Sequence, residues 1–168
     1  KLKYRVTYLE MISKPSFDWP KNLKHKLSIL LAESFPAWYF LFFYKQVGKN
    51  YYWTDWLRKS DDEIDKFVND KNVLLYTFIK DGWPVGFYML DYRKKNICDL
   101  SFFGLVEEVI GIGLGKYLLQ TAILTAWDSR KIEKLTVNTC SLDHKSAIYL
   151  YQKYGFTPVK YKDLEKTV

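Results

Sequence analysis

This sequence predicts an α+β fold, a mostly antiparallel sheet flanked by helices, on three observations. The first is a change of period in the middle of the chain. There "NVLLYTFIK", "PVGFYMLDY" and "NICDLSFFGLV" are β-rich runs separated only by the turn-type breaks "DGW" and "RKKN", as in an antiparallel meander. The second is a set of apolar runs at helical spacing with start and stop signals. The third is size and composition: 168 residues, 48% hydrophobic and 18% aromatic, suit one domain with a real core and exclude disorder.

The elements follow in order. Residues 3–10, "KYRVTYLE", alternate as a first strand, and "SKPSFDWPKN" is a Pro-containing connection. "LKHKLSILLAES" is ambiguous: Leu23, Leu27, Leu30 and Leu31 fit a helix, whereas "KLSILLA" alone fits a short strand. "PAWYFLFFYKQVG" reads as a helix with Pro36 in its first turn and Gly48 as its stop. "SDDEIDKFVND" is a second helix, capped by Ser60, with acidic residues where the helix dipole favours them. The meander follows. Beyond a glycine loop, Leu114, Leu118, Leu119, Ala122, Ile123 and Ala126 recur at helical spacing. "KLTVNTC" is then a strand, "HKSAIYLYQKY" a helix stopped by Gly155, and "FTPVKY" a last strand.

Charge is unevenly placed. Residues 1–60 hold 11 Lys and Arg against 4 Asp and Glu, while residues 61–168 are balanced, so the whole excess of +7 lies in the first third. Such a region could attract an anionic partner, or simply be a solvated lysine-rich surface. No RNA-binding aromatic signature or zinc spacing accompanies it, so nucleic acid is not the expected partner. No run approaches the roughly 18 apolar residues of a membrane span. No charged-then-apolar stretch opens the sequence, and Cys98 and Cys140 make no disulfide framework, so the expected location is cytoplasmic. Two isolated histidines without clustered carboxylates give no metal site.

The stretch "VEEVIGIGLGKYLLQTAI" carries the chemistry. A dinucleotide fingerprint would need its third glycine one residue later, and a Walker loop would need Gly at Ile110 and Ser or Thr at Tyr117. What remains is more general: Gly111, Gly113 and Gly115 expose successive backbone N–H groups at a helix start, where an anion also meets the helix dipole. A pyrophosphate fits; so does a glycine turn that merely packs tightly.

"IGIGLGKYLL" after a strand, followed some 30 residues later by "AIYLYQKYGF", resembles the GNAT superfamily of acyl-CoA-dependent N-acyltransferases. Their loop reads [QR]-x-x-G-x-[GA], and their later helix reads A-[IV]-x-L-Y-x-K-x-G-F. Ala147, Ile148, Leu150, Tyr151, Lys153, Gly155 and Phe156 stand in register with the second. The resemblance implies a GNAT-like three-layer arrangement spanning residues 1–168 as one domain, with 1–70 on the acceptor side and 71–168 as the acetyl-CoA-binding core. It also implies an N-acetyltransferase moving acetyl from acetyl-CoA, as co-substrate, to a primary amine of a small molecule or peptide. Ile110 departs from the pattern where Gln or Arg is usual, and Ile112 where a basic residue is common. Pyrophosphate binding would then rest on the amides of Gly111, Ile112, Gly113, Leu114, Gly115 and Lys116.

The resemblance further implies roles. Tyr151 is placed as the general acid at the thiol, unless it is only core. A strand splayed near Leu105 and Val106 is expected to offer an N–H to the oxyanion, and His144 a contact on the cofactor side or at the helix start. For the base, alternation puts Ile97, Asp99, Ser101 and Phe103 on one face, and an acid buried there would have its pKa raised. Glu108, with Glu107 beside it, competes with Asp99, and direct transfer with no protein base is the third option. Cys140 and His144 as a nucleophile pair lack an orienting third residue. Tyr51, Tyr52, Trp53 and Trp56 could wall an acceptor pocket or serve ordinary packing, and the basic surroundings suit an acidic acceptor. Two other readings stand: a non-catalytic acyl-CoA-binding or regulatory module, and a basic nucleic-acid-binding domain. An unpaired sheet edge or aromatic patch would allow a homodimer.

Overall fold

The structure is a computed structural model and describes residues 1–168. Seven strands form one sheet: β1 (Leu2–Met11), β2 (Leu27–Ala32), β3 (Val73–Lys80), β4 (Trp83–Asp91), β5 (Ile97–Leu105), β6 (Lys134–Cys140) and β7 (Thr157–Lys166). Four α-helices accompany them: α1 (Ala37–Gly48), α2 (Asp61–Val68), α3 (Leu114–Ser129) and α4 (Ala147–Lys153). The sheet order is β2-β3-β4-β5-β6-β1-β7, and every neighbouring pair is antiparallel except β5 and β6. The expected α+β class and meander are therefore present.

The ambiguous leucine-rich segment resolves as the edge strand β2, not a helix. Its residues pair with β3 from Leu27↔Lys80 to Ala32↔Leu75, and that ladder outweighs a helical spacing that would have left Leu23, now almost fully exposed, in the same stripe. Pro36 precedes α1 in extended geometry, and Ser60 accepts the Glu63 N–H at 3.2 Å to cap α2. Gly155, at φ +112°, ends α4 as expected. Gly48 ends α1 as its sequence position suggests and has a second task. It is the last residue of α1, and a Cβ there would lie 2.3 Å from the Trp53 Cβ, so the glycine lets the following loop fold back against the helix.

Helices α1 and α2 cover one face of the sheet and α3 and α4 the other. Phe43 stacks on Phe87, and Phe40 and Phe67 meet Phe102, on the first face. On the second, Tyr117 stacks on Phe78, the Tyr88 hydroxyl donates to Thr125, and Tyr151 meets Phe103. Gly104 lets α1 approach β5 closely, since a Cβ there would stand 2.2 Å from the Val47 Cγ1.

Two irregularities shape the region between β5 and β6. First, β5 carries a bulge: Leu100 pairs with Leu90 and Phe102 with Met89, leaving Ser101 extra. Strict alternation therefore fails after Asp99. Asp99 shares its face with Phe102 and the α1/α2 layer, while Phe103 turns to α4, correcting the expectation that Asp99 and Phe103 face the same way. Second, β5 and β6 pair only from Ile97↔Lys134 to Asp99↔Thr136 and then diverge. Strand β1 fills the far side of β6, pairing antiparallel with both β6 and β7.

Candidate functional site

Where β5 and β6 part, a cleft of about 350 Å³ opens through the sheet. Residues 100–105 of β5 form one wall, and Asn138, Asp143 and His144 the other. Tyr151 and Leu150 of α4 and the glycine loop close it on the α3/α4 side; Val47, Tyr51 and Trp53 close it on the α1 side.

The wall formed by β5 presents backbone. The Val106 N–H donates to the Val85 carbonyl at 2.8 Å, and Gly86 sits opposite Leu105. Because bonding alternates along an antiparallel ladder, the N–H and C=O of Leu105 point away from β4, towards the gap left by β6. Of Leu105 and Val106, the two alternatives for the expected amide, Leu105 faces the cleft, while Val106 is committed to Val85.

The glycine loop presents backbone as well. Gly111 (φ +89°) and Gly113 (φ +86°) adopt left-handed conformations, and Gly113 caps α3 without any side-chain bond. The N–H groups of residues 111–116 donate to no other backbone group of the protein. A helix start leaves its first donors free, and here they gather at the positive end of a 16-residue helix, a site suited to an anion. Leu114 anchors the helix in the core and offers only its N–H; Lys116 is exposed. Ile110 and Ile112 are exposed too, at 38% and 49%, so they add apolar surface where no charge is available. Gly115 is not needed for space, since a Cβ would meet Leu150 at an ordinary 3.9 Å.

Tyr151 is 6% exposed and packs edge-on against Phe103 and Phe156. Burial, reinforced by the charges of Asp143 and Asp99, pushes its hydroxyl well above the ordinary tyrosine value, so it keeps its proton at neutral pH.

The acids are distributed differently from expectation. Asp99 does not line this cleft. It lies on the opposite face from Tyr151, accepting from the Thr136 hydroxyl at 2.6 Å and the Ser101 hydroxyl at 2.8 Å. Burial raises its pKa against the lowering pull of those two bonds. Ser101, however, does line the cleft, and so links Asp99 to it. Glu108 sits exposed in a 3₁₀ turn (Glu107–Val109) outside the cleft, and Glu107 pairs with Lys49 at 3.3 Å, the solvated pair of a turn.

The carboxylate that does line the cleft, Asp143, was passed over in the sequence. It accepts from the Trp53 indole at 3.2 Å, the Thr139 hydroxyl at 2.7 Å and the Cys140 N–H at 2.8 Å. It thereby ties the loop after α1 to the loop after β6. The only sequence signal was its place in "CSLDH", a short polar residue in a strand-to-helix turn. His144 lines the cleft, and its Nδ1 accepts the Ser146 N–H at 3.2 Å at the start of α4. Burial raises the Cys140 thiol, which argues against a thiolate nucleophile. Of the four aromatics, Tyr51 and Trp53 line the cleft, while Trp56 packs on Phe40 and Phe67 and Tyr52 is exposed.

Residues 32–156 match the sequence model of the Acetyltransferase (GNAT) family, which spans the meander, the glycine loop and α4. The chain belongs to the GNAT acetyltransferase family.

Solved structures agree in fold. A GNAT family acetyltransferase from Elizabethkingia anophelis with acetyl-CoA bound is 22% identical, with TM-score 0.60 over 80% of this chain and 78% of its own. An aminoglycoside acetyltransferase from an uncultured soil metagenomic sample, in complex with trehalose, is 14% identical, with TM-score 0.60 over 76% of this chain and 86% of its own. A functionally unknown conserved protein from Staphylococcus epidermidis is 13% identical, with TM-score 0.64 over 96% of this chain. The GNAT chain spans 60% of the length of that protein. No curated protein sequence matches the chain. No helix of this GNAT chain is long and apolar enough to cross a membrane.

Proposed function

We propose that this chain transfers an acetyl group from acetyl-CoA to a primary amine by direct attack. The observation that carries the reading is the run of unpaired amides at residues 111–116, beside a cleft that Tyr151 also lines. The loop amides would hold the pyrophosphate, aided by Lys116, and the exposed backbone edge of β5 would pair with the pantetheine arm. Bound there, acetyl-CoA would supply a thioester carbonyl to the gap between β5 and β6.

The chain's own groups then divide the work. The Leu105 N–H receives the carbonyl oxygen as negative charge develops on it. Ser101 takes a proton from the attacking amine and passes its own to Asp99, whose raised pKa suits a base better than an ordinary aspartate would. As the C–N bond forms and the C–S bond breaks, Tyr151 gives its proton to the departing sulfur. Asp143 holds the Trp53 loop against the cleft and so acts by positioning.

Exposed Ile110 and Ile112, in a loop whose only cation is Lys116, favour one second reading: a module that binds acyl-CoA without turning it over. Calorimetric titration with acetyl-CoA and, separately, ATP tests both. Saturable acetyl-CoA binding with no response to ATP supports a CoA site, and free-thiol release with an amine then supports transfer. Absence of acetyl-CoA binding would sink both readings.

A further inference from the structure

A second cavity, of about 620 Å³, lies on the α1/α2 face of the sheet where β5, β6, β1 and β7 run side by side. It meets the cleft at Asn138, which lines both, and through Ser101 in the cleft, which bonds to Asp99 in the cavity. An amine at that junction stands beside the Ser101–Asp99 pair, so the cavity is where the rest of an acceptor would lie.

Its charges are unbalanced in a specific way. Four cations line it, Arg93, Lys94, Lys134 and Lys160, with three acids, Glu10, Asp91 and Asp99. Arg93 is spent on Asp91 at 2.8 Å and Lys134 on Glu10 at 3.1 Å. Both oxygens of Asp99 accept from hydroxyls. Lys94 and Lys160 have no carboxylate within ion-pair distance. Lys160 instead stands over the Tyr8 ring at 4.9 Å, with Lys162 at 5.8 Å from the same ring. Lys94, whose charge reaches Asp99 without pairing with it, and Lys160, over the Tyr8 ring, are two cavity-lining donors without an ion-pair partner.

We propose that the acceptor is an amine carrying a carboxylate or phosphate, which seats its anionic group against Lys94 and Lys160 while its amine reaches the junction at Asn138. This rests on the acetyl-transfer reading and names its substrate class. It also separates this chain from acceptors that are polycations, since Lys94, Lys160 and Lys162 would repel them.

The test is calorimetric titration of the full chain with four probes: glutamate, phosphoethanolamine, ethanolamine and sisomicin. At least one anionic probe should bind, and ethanolamine and sisomicin should not; which anionic probe binds better distinguishes carboxylate from phosphate. The double variant Lys94→Glu/Lys160→Glu should weaken that binding by about tenfold or more, as expected for losing charge-assisted bonds. Both lysines are exposed, and the milder Lys160→Gln repeats the test if the double variant misfolds. In free-thiol release with acetyl-CoA, Lys160→Gln, which leaves Lys94 beside Asp99 intact, should raise KM for the acceptor by a larger factor than it lowers kcat. Silence from both anionic probes, binding unaffected by the variants, or tighter binding of sisomicin would overturn the proposal. Anion binding that the variants weaken, without any thiol release, would overturn acetyl transfer and leave the anion site standing.

Discussion

Replacing Tyr151 by Phe separates a catalytic hydroxyl from a core ring. The ring contacts survive, because Phe103 at 6.2 Å and Phe156 at 5.8 Å touch the aromatic body. The hydroxyl receives no hydrogen bond from the protein; burial and two distant acids are all that act on it. Removing it therefore breaks nothing, and relieving its desolvation should leave stability unchanged or raise it by about 1 kcal/mol. In a chain of this size that is a rise of about 2–4 °C in Tm. Loss of a general acid, by contrast, costs on the order of 100-fold or more in kcat. Free-thiol release at saturating acetyl-CoA measures the rate, and calorimetry should find the acetyl-CoA Kd within about twofold of the parent. A variant with full kcat would refute the assignment and return Tyr151 to the core. A variant with lowered Tm would show that the hydroxyl holds a structural bond.

Two further outcomes follow from the geometry. Gly104→Ala drives a Cβ to 2.2 Å from Val47 Cγ1, and should cost about 1–3 kcal/mol by overpacking; denaturant unfolding should show the midpoint fall, and Val47→Ala should restore part of it, whereas an unmoved midpoint would mean that α1 is not seated on β5 as described. Asp99 has a folded pKa above its ordinary 3.8, so the stability it contributes is fully present below that value and is lost as pH rises through the raised folded value. Asp99→Asn should therefore gain stability relative to the parent as unfolding is measured from pH 3 towards pH 7, and a pH-independent difference would refute the burial argument.

The sequence carried those parts of the fold that depend on local pattern. Ser60 before three acids, the meander's turn breaks and the glycines before Leu114 each encode their structure within a few residues. The same holds for "AIYLYQKYGF", which fixed Tyr151 on α4. What depends on register between distant strands was not legible. The bulge at Ser101 is set by how β5 lies against Met89 and Leu90, and without it alternation put Phe103 on the wrong face. Leu105 and Val106 differ in their N–H directions only through the ladder phase with β4. Asp143 matters because Trp53, 90 residues away, comes to meet it. Glu108 stood beside the loop in sequence, yet a 3₁₀ turn carries it out to solvent.

The strand β1 has a consequence for how the two halves of the site come into being. The glycine loop, α3, α4 and the β5 edge come from residues 97–156, a contiguous stretch. The second cavity needs Tyr8 and Glu10, from a strand seated between β6 and β7, with Leu2 opposite Lys166. Closing so long a loop is slow compared with local helix and hairpin formation. Strand β1 therefore pairs only once β6 and β7 are present. The glycine-loop side of the cleft is thus locally encoded, whereas the second cavity is a joint between segments far apart in sequence. A break in the β1 ladder should disturb the second cavity while the loop at residues 111–116 keeps its shape.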